Sequence, residues 1–296
     1  MKESSLNSEN CLKAHSKDLG GGFVVRRLLP AMQRQAVGPF IFFDHFGPVT
    51  VTPADNHDVR PHPHIGLATL TYLFEGVIMH RDNLGYQQRI EPGAINLMIA
   101  GNGIVHSERK PEEEKQTTYV NHGLQLWLAI PEDQENRAAS FSHTPATAIP
   151  ELKVGAATVR VLVGSAFGAS SPVPSLSPTL YLDVSLPPLT QWQLPMLAEE
   201  QAIYPIEGSF SVDGESLEPH NMLVLDQTRA IRSLENTTRF VVIGGQNLGK
   251  RLMWWNFVST RKEAIDAAAA VWQSQPLDGP FKQVPDELER IPLPPR

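Results

Sequence analysis

Cysteine is nearly absent from this chain. Cys11 is the one thiol among 296 residues, which excludes an intramolecular disulfide and a cysteine-based zinc site and fits a reducing compartment. No apolar run approaches the roughly 20 residues of a membrane span. Residues 1–18 are polar and lack the apolar stretch of a secretory signal, so a cytoplasmic location is expected, with the nucleus open to a eukaryotic chain. Dense Lys/Arg clusters are missing too. Arg26 and Arg27 form only a pair, and the formal net charge is -7. Such a field repels phosphate and disfavours direct nucleic-acid binding. With 41% hydrophobic and 19% charged residues, the composition is globular rather than disordered.

What the chain has in quantity is proline and glycine, 25 and 21 residues, which points to many short strands and turns. Short apolar or alternating runs such as Gly22–Leu28, Ala68–Glu75, Tyr86–Ile90, Ile95–Ala100, Gly123–Ile130, Thr158–Val163, Thr179–Ser185 and Arg239–Gly244 read as strands. The expected class is all-β, with sandwiches or barrels and one late helix. That helix is expected over Thr260–Gln273, with a capping box from Thr260 to Glu263 and a buried face of Ile265, Ala268, Ala269 and Trp272. Residues 276–296 read as an extended tail anchored by Phe281, Leu288, Ile291 and Leu293. Two irregular stretches, 141–152 and 164–175, suggest a domain boundary and a long surface loop respectively.

An internal repeat supports the division. Residues 72–76 (YLFEG) resemble residues 204–208 (YPIEG), and Glu91-Pro92-Gly93 before an apolar strand resembles Glu218-Pro219-His220. Continued without a gap, the repeat places Ser233 and Glu235 where the first copy has His106 and Glu108. Leu194 and Met196 fall where it has His62 and His64.

The chemistry concentrates in two short motifs. Residues 62–64 read His-Pro-His and residues 106–108 read His-Ser-Glu. In an extended strand, side chains at i and i+2 share a face. Neighbouring strands carrying these pairs would bring three imidazoles and one carboxylate around one point. That donor set suits a divalent transition metal, above all a redox-active one. His57 reads as solvated, His122 as either lining the barrel or satisfied in the core, and Asp44 and Asp82 as structural. His45 and His80 have no partner at ligand spacing and read as turn residues or as residues that orient a ligand.

The pattern of an HxH pair, a glycine after the next strand (Gly76) and a G-x-x-H (Gly103 to His106) is similar to that of cupin barrels. The glutamate expected four or five residues after the second histidine is replaced by Ala68 and Thr69, and Glu108 stands in for it. That variation, with residues 40–48 (FIFFDHFGP), 60–76 (RPHPHIGLATLTYLFEG), 80–85 (HRDNLG), 92–108 (PGAINLMIAGNGIVHSE) and 123–128 (GLQLWL), resembles the pirin family. The resemblance implies an all-β chain of two tandem cupin barrels (double-stranded β-helix, or jelly roll) and a C-terminal helix. Residues 1–140 would form a metal-binding barrel, 141–258 a degenerate barrel without metal, and 259–296 the helix and tail. It also implies Fe(II) held by His62, His64, His106 and Glu108, although ligand type alone leaves Mn, Co, Ni, Cu or Zn open. The implied activity is quercetin 2,3-dioxygenase-type cleavage of a flavonol-like small molecule with O2, Glu108 acting as catalytic base. The alternative that the family offers is an iron-dependent redox-sensing regulator whose partner is a transcription factor or metabolic enzyme. Neither requires a membrane.

Overall fold

β-branched and aromatic runs punctuated by glycine and proline form antiparallel strands through most of the chain. The computed structural model describes residues 10–20, 22–274 and 279–295; residues 1–9, and residues 276–278 and 296 of the expected tail, lie outside the described part. Two compact units emerge. One comprises the described part of Met1–Ser16 with Arg26–Asp44 and Thr147–Asn247; the other comprises Lys17–Val25, His45–Ala146 and Leu248–Arg296, again as far as described. Among the described residues, no helix is long and apolar enough to cross a membrane.

In the first unit, a large sheet runs through Cys11–Lys13, Asn221–Leu225, Glu200–Glu207, Thr238–Gly245, Thr179–Leu186, Ala157–Val163 and Glu151–Val154. A four-stranded sheet orders Gln191–Leu194, Arg229–Ser233, Phe210–Val212 and Glu215–Ser216. Side chains from both sheets, among them Val161, Leu182, Phe240, Trp192, Leu194 and Ile231, make one buried apolar cluster between them. This is the layered antiparallel build of a cupin barrel.

The second unit repeats the plan. Its four-stranded sheet orders Val59–His64, Ile104–Arg109, Ile78–Asp82 and Gln87–Ile90. Its larger sheet contains Ser140–Thr144, Ile95–Ile99, Leu67–Glu75, Tyr119–Ala129 and residues 45–51 of the strand Phe40–Val51. The C-terminal helix, Lys262–Ser274, buries Ile265, Ala268, Ala269 and Trp272, the face that its 3.6-residue spacing predicts. These side chains pack with Phe257, Phe281 and Val284 on Ile65 and Val105, which sit on the outer face of the strands carrying the histidine motifs. Glycine is required at the end of the first of those strands. Gly66 holds φ +68° and its Cα approaches the Val258 carbonyl too closely for a Cβ.

The structure corrects several local expectations. The strand Phe40–Val51 lacks alternation because residues 40–47 are all buried, and its Gly-Pro pair reads as a turn. Residues 141–152, expected to be irregular, contain most of the strand Ser140–Thr144, paired with Ile95–Ile99, and the start of Glu151–Val154. The expected surface loop at 164–175 holds a short hairpin and buries Ala166 and Val173. Thr260 forms no capping box. Its N–H donates to the Glu135 carboxylate at 2.9 Å, and the Ser259 hydroxyl accepts the Arg261 N–H at 3.1 Å. Leu288 is 94% exposed and anchors nothing, whereas Phe281 and Val284 are buried.

Candidate metal centre

His62 and His64 end the strand Val59–His64, and His106 lies within Ile104–Arg109. The two strands pair antiparallel, with His62 opposite His106 and His64 opposite Ile104. Alternation turns the three imidazoles onto one face. Their ring centroids are 4.3 Å apart for His62 and His106, and 5.0 Å for the pairs involving His64. One nitrogen from each ring lies within 4.8 Å of the others, and all three residues are buried. Trp127 meets His64 edge-on at 5.2 Å and closes off that side.

The hydrogen bonds say which nitrogens are available. His62 Nδ1 lies 2.9 Å from the Arg60 carbonyl, so it must donate there and its Nε2 keeps the lone pair. His64 Nε2 and His106 Nε2 face each other at 3.1 Å. Between two neutral rings, one of these nitrogens must carry a proton; a cation in that place would take a lone pair from each. Burial lowers the pKa of His62 to about 4. Burial, then the neighbouring imidazoles, holds His64 and His106 well below the usual histidine range. The triad is neutral at pH 7, the state that ligates. Its donor set fits a borderline divalent transition metal.

Glu108 follows on the same strand, but the ladder shifts register between His106 and Glu108, and Glu108 pairs with Val59 and His80. Its carboxylate is not in the group of mutually close donors. Burial raises its pKa to about 7.

Asp82, expected from the sequence to be structural, accepts the backbone N–H groups of Leu84 and Tyr86. It is fully buried at the end of Ile78–Asp82, and its Oδ2 lies 3.0 Å from His80 Nε2. The i, i+2 spacing of His80 and Asp82 on one strand was the signal. His45 and His122 form a buried pair, with Nε2 atoms 2.8 Å apart and Phe74 packed on His122. His57 is half-buried and stacks on Phe23 at 5.1 Å, so its expected solvation is incomplete.

In the other unit, Leu194 is the repeat's counterpart of His62, and it pairs with Arg229. Strand pairing therefore puts Arg229 and Ile231 at the positions of His106 and Glu108, displacing the expected Ser233 and Glu235. Counted through the ladders, the second copy has four residues fewer between Leu225 and Arg229, its counterparts of Met98 and His106, a gap that the ungapped continuation missed.

Residues 22–128 match the family model described as Pirin, and residues 181–278 match that of the pirin C-terminal cupin domain. A pirin-like protein of Caulobacter vibrioides is 41% identical over 286 residues, 95% of this chain and 97% of that protein. The crystal structure of a quercetin 2,3-dioxygenase from Acinetobacter baumannii is similar at TM-score 0.89 and 34% identity, covering 97% of this chain and 95% of that one. A bacterial pirin from Escherichia coli, crystallised with nickel(II), shares the fold at TM-score 0.62 and 17% identity, covering 80% of this chain and 98% of its own.

Proposed function

The chain belongs to the pirin family, and from that premise we propose that it is a metal-dependent dioxygenase of the quercetin 2,3-dioxygenase type. The observation that carries this reading is the convergence of three buried, neutral imidazoles on one point. Similarity to the Acinetobacter baumannii enzyme supports it. His62, His64 and His106 would hold the ion, with Glu108 as the fourth ligand. Iron(II) is the ion we favour, with Mn, Co, Ni, Cu or Zn as alternatives for the same donors. When bound, such an ion supplies Lewis acidity and one-electron chemistry toward O2.

The chain's own residues supply the rest. Glu108, deprotonated when it ligates, would accept the proton of a flavonol 3-hydroxyl. Trp127 shields the His64 side from water. The Arg60 carbonyl fixes the His62 ring.

The test is aerobic bleaching of quercetin, with carbon monoxide measured in the headspace. Iron-loaded wild type should turn over. The His62→Ala/His64→Ala double variant should lose metal and activity together, and Glu108→Gln should lose turnover by a larger factor than metal. Equal bleaching by wild type and the double variant would overturn the proposal.

A further inference from the structure

We infer that Asp82 and His80 are positioning residues that hold His106 as its Nδ1–H tautomer, so that the Nε2 lone pair of His106 is the one offered to the metal. The inference rests on the metal-site reading above and adds two residues to it.

The hydrogen bonds run from the outside of the cluster inward. Asp82 Oδ1 accepts the backbone N–H groups of Leu84 at 2.9 Å and Tyr86 at 3.1 Å. Its other oxygen, Oδ2, lies 3.0 Å from His80 Nε2. A carboxylate can only accept, so His80 donates from Nε2. In the Nε2–H tautomer the other ring nitrogen, Nδ1, is an acceptor. His80 Nδ1 faces His106 Nδ1 at 3.4 Å, a long contact that a His106 Nδ1–H fills. His106 Nε2 is left bare, and it is the atom that points at His64 Nε2. Each group in the chain is shut away from water: Asp82 is 0% exposed, His80 3% and His106 1%. Phe141 stacks on the His80 ring at 4.3 Å and 15°, which restrains its rotation.

A ligating histidine whose second ring N–H is held by an acceptor is fixed in tautomer and orientation. Here the acceptor is a second imidazole, and the carboxylate stands one residue behind it.

Asp82→Asn is the decisive variant because it keeps the shape and reverses the logic. The two backbone N–H groups require an oxygen, so the side-chain amide nitrogen turns to His80 and donates. His80 then carries its proton on Nδ1, and His106 must accept at Nδ1 and hold its proton on Nε2. Two measurements follow. Metal-free protein labelled with 15N in histidine should show His106 with Nε2 unprotonated in wild type and protonated in Asp82→Asn. Titration with zinc(II) should show affinity lower by roughly 10–100-fold in the variant. Protonated Nε2 in the wild type, or an Asp82→Asn protein with wild-type tautomer and affinity, would overturn the inference. If Asp82→Asn does not fold, the wild-type tautomer decides. A wild type that takes up no metal would remove the site reading, and the nitrogen spectra would still decide the tautomer.

Discussion

Glu108, with a pKa near 7 in the metal-free chain, must shed its proton before it can ligate. Binding a metal should therefore release about 0.9 proton at pH 6 and about 0.1 at pH 8, the two sides of that midpoint. The histidines add little to this, because burial keeps them neutral in that range. Calorimetry in buffers of different ionisation enthalpy measures the release, and Glu108→Gln should abolish it at pH 6. An unchanged release in that variant would show that Glu108 is not a ligand. The same histidines set the acid stability of the metal-free protein. A pKa lowered on folding means that the unfolded chain binds the proton more tightly, so the stabilisation is complete above about 6.5 and is lost as pH falls through the folded value. For His62, at about 4, this amounts to about 3 kcal/mol. Denaturant midpoints of metal-free wild type should fall between pH 6.5 and 4, and the His62→Ala/His64→Ala protein should show a shallower fall. Glu108 acts with the opposite sign: its pKa is raised on folding, so its contribution is complete below about 4.5 and is lost as pH rises through 7.

The strands that carry the ligands are pinned from behind, and this is a property of elements. Ile65 and Val105 alternate with the ligating histidines and face the helix Lys262–Ser274. Trp272 is 3% exposed in that layer, donates Nε1–H to the Ile291 carbonyl at 3.0 Å, and carries the Arg290 guanidinium over its ring. Truncating it to alanine should cost about 3–5 kcal/mol, read as a lower denaturant midpoint at constant slope. The tail adds a polar clamp on the same strand: the Ser107 hydroxyl donates to Glu287, and Arg109 Nε donates to it at 3.1 Å. The helix and its buried face were legible because four apolar residues recur at helical spacing. What they cover was not, because Ile65 and Val105 are about 200 and 160 residues away in sequence, and periodicity carries no information about partners. Leu288 failed as an anchor for a related reason: apolarity does not say which side of a tail faces the body. The HxH motif was legible because strand alternation is local, whereas the register shift before Glu108 depends on pairing with Val59–His64.

For the molecule as a whole, the question is how two cupin domains divide the labour. Among the described residues, one group of three or more close donors occurs. The C-terminal cupin domain presents Leu194, Met196, Arg229 and Ile231 at the corresponding positions, and none offers an imidazole or a carboxylate. Leu194 and Ile231 instead join Trp192, Phe210 and Phe240 in a filled apolar core. Burying that surface stabilises a barrel without a metal, while the other domain spends part of its interior on three imidazoles. Metal analysis should therefore give one equivalent per chain for wild type and close to none for the His62→Ala/His64→Ala protein, at unchanged secondary structure by circular dichroism. Metal at 100 times its dissociation constant should stabilise the wild type by about 2.7 kcal/mol and leave the double variant unaffected. Two equivalents in the wild type, with one surviving in the double variant, would place a second site outside the His62, His64 and His106 cluster. That result would break the assignment of Leu194, Met196, Arg229 and Ile231 as the second barrel's counterparts of the ligands.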